Sequence, residues 1–199
     1  MEVNIIGRRT IAELIASGQN TNSYNNTAID SISLWVDAFN AGLKDLVEDI
    51  GLTAQIAINY VNGTTTYDLP DDYFEVMQIV DSGQYPIWKR QHEIEPFPCF
   101  NSYFVKDIGT NYQIVFDDRN ATETLTLSYM RYPALLTVAA YLTQKPEIPT
   151  IGEDALIDYA ISRALRNNNQ LGQSVTINQE YERGRKKIRD AKYRAIAGW

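Results

Sequence analysis

Cysteine, histidine and long apolar runs are nearly absent from this chain. The single cysteine, Cys99, excludes an intrachain disulfide, and with His92 as the only histidine there is no cluster of soft ligands for zinc. No apolar run reaches the roughly 18 residues that cross a bilayer. In MEVNIIGRRT the arginines follow a short apolar patch, the reverse of a secretory signal. The expectation is synthesis in a cytosol with no membrane partner. A glycine-rich phosphate cradle is also missing, because Gly63 and Gly109 stand alone and neither opens a helix. No metal, cofactor or catalytic residue is therefore assigned.

What is present is ordinary globular composition with an uneven charge. The 199 residues suffice for one domain with a core or two small layers, and a hydrophobic fraction of 44% argues against disorder as the dominant state. Net charge is -7. From Glu153 onward nine Lys or Arg stand against six Asp or Glu, a balance of +3 that leaves -10 on the residues before it. An acidic body disfavours general binding to nucleic acid, since affinity for the phosphate backbone comes mainly from cations.

Helices are expected at both ends. Thr10 to Gly18 carries Thr10 as N-cap, Glu13 three residues on and Gly18 at the stop. Gln19 to Asn26 is polar and reads as a loop. Thr27 then caps a longer helix on which Ile29, Ile32, Val36, Phe39, Leu43, Leu46 and Ile50 recur at helical spacing, with Trp35 and Val47 widening the stripe and Gly51 closing it. Near the other end, Ala155, Leu156, Tyr159, Ala160, Ala164 and Leu165 mark a helix whose acidic start and basic end suit its dipole. Asn167 to Gln173 reads as a loop into a last helix, Ile177 to Ile196. There Ile177, Tyr181, Gly184, Ile188, Ala191 and Ala195 form one narrow seam at steps of four and three. The other faces are basic, with Arg183, Arg185, Lys186, Lys187, Arg189, Lys192 and Arg194. The seam is expected to pack on the helix from Glu153 to Arg166.

The middle of the chain changes period. Gln55–Tyr60, Thr64–Tyr67, Phe74–Val80, Ile87–Lys89, Tyr103–Val105, Tyr112–Phe116 and Thr122–Tyr129 read as successive antiparallel strands separated by turn chemistry. In the last, Leu125, Leu127 and Tyr129 alternate with Thr124, Thr126 and Ser128, so one face is wet. Glu95 to Phe100 holds two prolines and reads as a loop. Ala134 to Lys145 fits a helix begun by Pro133 or an extended arm, and the arm is the reading taken. The fold class is α+β: a helical bundle from N- and C-terminal helices with a central antiparallel β domain. The boundaries are 1–51 for the first helices, 52–132 for the β domain, 133–150 for the arm and 151–199 for a closing helical hairpin.

Candidate chemistry is sparse. Asp71-Asp72 and Asp117-Asp118 would serve a hydrolase if two carboxylates met in one cleft, but adjacent acids beside strands usually form turns. Cys99 and His92 lack any surrounding oxyanion or nucleophile pattern. Tyr85, Trp88 and Arg90 combine aromatics and an arginine in the way protein interfaces anchor a partner. The basic helix suits a solvated face, a protein contact or phosphate binding, the last being a nucleic-acid-binding module as the alternative function.

The order of these parts carries a resemblance. A capped helix pair, VNGTTTYDLPDDYFEVMQIV, LSYMRYPALL, then EIPTIGEDALIDYAISRAL and a long charged helix with Tyr181 resemble the head-to-tail adaptors of tailed bacteriophages. The likeness is to the tail tubular protein A and tail accessory factor type, also called head completion or connector proteins, and runs from about Thr10 to Ala195. The sharpest phrases are Tyr67 to Asp72 and Ile148-Pro149 leading into Asp154-Ala155-Leu156. The resemblance implies a non-enzymatic virion protein at the head-tail junction, made in the host cytoplasm. It further implies a ring, typically of twelve subunits, on the portal protein. Such a ring extends the channel for genomic DNA without binding it specifically, and offers a platform to a tail or nozzle protein. On that basis Arg185, Lys186, Arg189 and Trp199 are expected at the portal or a neighbouring subunit, and Tyr85, Trp88 and Arg90 at the tail partner.

Overall fold

The computed structural model describes residues 7–20, 29, 31–90, 101–109, 111–117, 119 and 121–197. Thr27, His92, Cys99, the Glu95 to Phe100 loop and Trp199 lie outside them. The protein is α+β. It divides into two compact units, Met1–Gly51 with Pro133–Trp199, and Leu52–Tyr132.

The helical unit begins with α1, Ile11–Gln19, closed by the full capping box: Thr10 Oγ1 accepts from the Glu13 amide and the Glu13 carboxylate accepts from the Thr10 amide. Two more first-turn donors are satisfied from afar, Ile11 N by Gln144 O at 3.0 Å and Ala12 N by Tyr141 O at 2.9 Å. The segment supplying those carbonyls is the 133–150 arm, which holds only a short 3-10 turn at Val138–Ala140. It is pinned along its length. The Asn40 side chain donates to Leu136 O at 3.0 Å and accepts from Leu136 N at 2.8 Å, and Gln144 bonds Thr137 N and Leu135 O. Side-chain amides thus give the arm's backbone the partners a helix would have given it.

Helix α2, Ile32–Asp45, is capped by Ser31, and a turn at Leu46 separates it from the single turn α3, Val47–Ile50. Gly51 at φ 67° closes α3. Gly18 does not stop α1. It lies within the last turn, where a Cβ would stand 2.6 Å from the Trp35 ring, so its missing side chain admits Trp35 to the core.

Helices α4, Glu153–Asn167, and α5, Leu171–Ala197, form an antiparallel pair. The turn between them is shorter than the polarity of 167–173 implies. Asn169 adopts φ 59° and Gln170 N bonds Leu165 O, which reverses the chain at once and brings Leu171 to Gln173 into α5. The buried seam of α5 is Ser174, Tyr181 and Ile188, each seven residues on, with Gly184 against Ala155. Full burial of Ile188 alone is worth about 1.5–3 kcal/mol.

Among the described residues the β unit holds seven strands: β1 Thr53–Tyr60, β2 Thr66–Asp68, β3 Tyr73–Val80, β4 Trp88–Lys89, β5 Ser102–Asp107, β6 Tyr112–Phe116 and β7 Glu123–Arg131. Of these only β4, β5 and β6 are successive neighbours. One sheet has the order β1-β7-β3 and the other β2-β6-β5-β4, and β4 runs parallel to β5. The pairs β1 and β2, and β6 and β7, therefore each pass from one sheet to the other. The reason is the core: Ile58, Tyr60, Ile79, Leu125, Leu127 and Tyr129 of the first sheet meet Tyr103, Ile114 and Phe116 of the second, which a flat seven-stranded meander would leave wet. The wet face of β7 is as its alternation requires, with Leu125, Leu127 and Tyr129 buried.

Candidate interaction surfaces

The basic helix is the first candidate. Its cations divide into two groups. Arg185 and Arg189 both donate to Asp49 of α3, a carboxylate only 4% exposed, the Arg189 Nε at 2.8 Å, and Arg185 also reaches Asp45 at 3.6 Å. Lys192 Nζ donates to Glu48 O at 2.7 Å, meeting a carbonyl at the C-terminal end of α3. Tyr181 OH donates to Asp45, and burial together with that carboxylate raises the phenol well above its usual range. Four α5 side chains thus tie it to the α2–α3 corner. Asp49 itself sits where it can neutralise two guanidiniums that would otherwise repel each other.

The outward group is Arg183, Lys186, Lys187 and Arg194, all exposed. Arg183 pairs with Glu180 on its own helix. Lys186, Lys187 and Arg194 have no ion-pair partner among the described residues. Of the residues expected at a portal contact, Lys186 faces solvent, Arg189 is 48% exposed beyond its bond to Asp49, and Arg185 is turned inward.

The cluster expected at a tail partner separates in the same way. Tyr85 and Trp88 are 69% and 66% exposed. The turn beneath Tyr85 is built by Asp81 Oδ1, which accepts from Gly83 N and Tyr85 N, both at 2.9 Å. Arg90 is only 11% exposed; its guanidinium lies 5.1 Å over the Phe104 ring and pairs with Asp117 at 2.8 Å. Arg90 supports the edge on which Trp88 stands.

A third constellation was invisible in the sequence. Glu153, 1% exposed at the head of α4, accepts from Arg8 N at 2.5 Å, Arg9 N at 3.0 Å and Arg9 Nε at 2.7 Å. Arg9 also holds Asp154 at 2.5 Å. One carboxylate therefore fixes the segment entering α1 to the start of α4.

Two of the acids that would serve a hydrolase, Asp72 and Asp117, are held by structural partners. Asp72 accepts from Tyr129 OH at 3.0 Å, and Asp117 accepts from Ser102 Oγ and pairs with Arg90. The cleft lined by Ile29, Leu34, Ala38, Ala160 and Ala164 holds about 210 Å³. Among the described residues, no three His, Cys, Asp or Glu group as metal ligands, and no helix is long and apolar enough to cross a membrane.

A family model described as SU10 adaptor protein matches residues 9–198. The chain belongs to the SU10 adaptor protein family. No curated protein matches it. The match takes in α1 through α5 and both sheets, so the family assignment covers the helical unit and the β unit alike. As a member of this family the chain is a structural adaptor of a bacteriophage.

Proposed function

We propose that this SU10-family adaptor assembles as a ring, of twelve subunits, on the portal protein at the head-tail junction. There it extends the DNA channel and presents the platform that a tail or nozzle protein joins. The observation that carries the reading is the family match over residues 9–198. It is supported by charge: an acidic body around a lumen disfavours adhesion of the genome during ejection, because it withholds the cations that counterion release rewards. The chain is made in the host cytoplasm and enters the virion from there.

The portal or neighbouring subunit meets the outer back of α5, with Lys186 foremost, the exposed flank of Arg189 beside it and Trp199 as an apolar plug. Arg185 holds that back in place through Asp49. Tyr85 and Trp88 anchor the tail partner, with Arg90 behind them. The nucleic-acid-binding alternative draws on the same helix, and three of its seven cations already serve α3. Purified chain mixed with portal should give rings in negative-stain micrographs. A chain that stays monomeric with portal present overturns the adaptor reading, and a steep salt dependence of tight duplex binding would favour the alternative.

A further inference from the structure

The two open seams of the β unit are treated differently. On the β3 side the sheets are stitched: Ile87 N donates to Ile79 O at 2.9 Å, Asp81 N to Tyr85 O at 3.0 Å, and Val80 and Pro86 form a bridge. Strand β3 also carries two register shifts against β7, at Tyr73/Glu75 and Val76/Gln78. Such irregularities and coverings are how proteins protect a sheet edge. On the β1 side nothing equivalent exists among the described residues.

Strand β1 is an edge strand of eight residues, TAQIAINY, with no proline and no charge, paired to β7 in unbroken register from Thr53↔Met130 to Tyr60↔Glu123. Among the described residues its outward amides and carbonyls have no backbone partner beyond β7. The core beneath it is also unfinished. Ala54 and Ile56 are only half-buried, whereas the β7 residues opposite them, Tyr129 and Leu127, are buried. A further strand alongside β1 would cover both.

A second copy does not supply that strand by any edge seen here. The edge strands of the other sheet, β2 and β4, have three and two residues, and the edge of β3 is bulged and bridged. Pairing of β1 with another β1 is two-fold, so it closes at a dimer and cannot propagate around a ring. The β unit is acidic, with five Lys or Arg against eleven Asp or Glu in residues 52–132. We infer that the free edge of β1 receives an extended segment of a different protein: proline-free, apolar at alternate positions, and flanked by lysine or arginine. Main-chain bonds to β1 supply the affinity, the apolar side chains cover Ala54 and Ile56, and the flanking cations answer the acidic surface. Only the identity of that protein, a tail component, rests on the adaptor reading.

Amide-resolved hydrogen exchange on the full chain tests this, with the synthetic peptide acetyl-Lys-Thr-Val-Gln-Val-Thr-Val-Lys-amide as probe. In the free chain alternate amides of Thr53 to Tyr60 should exchange at least about tenfold faster than their neighbours, and the peptide should slow them by about as much. A peptide with proline at its central valine should give no protection, and one flanked by glutamate should bind more weakly. The Ile56→Lys variant should keep its circular dichroism and cooperative melting and lose the peptide effect. Full protection of β1 in the free chain overturns the inference, as does a peptide that slows none of these amides. Protection that grows with chain concentration in the absence of peptide overturns it in favour of a second copy. The adaptor reading fails separately, by the absence of rings when unmodified chain meets portal.

Discussion

Gly184 lies so close to Ala155 that a Cβ placed on it would stand 2.6 Å from the Ala155 Cβ. Here α5 lies directly against α4, and the obstacle includes the α4 backbone at 3.3 Å, which cannot rotate away. Gly184→Ala should gain about 1 kcal/mol in helix propensity and lose about 1–3 kcal/mol in overpacking. The second effect wins because neither side of the contact has a flexible end. A urea midpoint lowered relative to the unmodified chain is expected, and an unchanged or higher one would show that the helices separate freely.

How much of this was legible depended on sequence distance. The Thr10–Glu13 capping box, the Gly51 stop, the seam through Tyr181 and Ile188 and the alternation in β7 are local patterns, and the structure has each of them. The partners of Arg185 and Arg189 were not legible, because Asp49 lies 136 and 140 residues away and looks like any surface acid of a helix end. Strand order escaped for the same reason: alternation says which face is dry and says nothing of which strand lies alongside. Arg90 read as an interface residue from its neighbours Tyr85 and Trp88, yet its charge is answered by Asp117, which follows β6 in the same sheet. Glu153 read as a favourable charge at a helix start, which it is, but its burial under Arg8 and Arg9 needed the segment before α1 to be placed.

The division of the α5 cations gives a contrast within one helix. Asp49→Ala leaves Arg185 and Arg189 without their shared acceptor and should cost about 2–3 kcal/mol, most of it from the partly buried Arg185. Lys186→Glu changes an exposed side chain and should move stability by less than about 0.5 kcal/mol. Chemical denaturation separates the two. Portal pull-down should then show Lys186→Glu weakened in attachment while folded; a variant that binds portal as well as the unmodified chain removes Lys186 from that contact.

Trp88 and Arg90, two residues apart, should respond oppositely. Trp88→Ala removes an exposed ring and should leave the melting temperature within a degree or two while reducing tail attachment to assembled heads. Arg90→Ala removes the partner of Asp117 and the cation over Phe104, and should lower the melting temperature by several degrees. Equal loss of stability in both would place Trp88 in the fold and withdraw it as an anchor.

Asp158 on α4 carries a pH dependence of determinate sign. Burial, then the nearby charges of Asp154 and Glu180, push its carboxyl up to about 6 from 3.8. A carboxyl whose folded value is raised favours folding only while protonated, so the stability it supports is complete below about pH 4 and is lost as pH rises through about 6. Two units correspond to about 3 kcal/mol, and partial exposure of the side chain reduces this to about 1 kcal/mol. Asp158→Asn removes the charge and should therefore match the unmodified chain in urea at pH 4 and exceed it by about 1 kcal/mol at pH 7.5. A stabilisation equal at both pH values would assign the gain to packing, and a destabilisation at pH 7.5 would mean that the carboxylate has a cationic partner in solution.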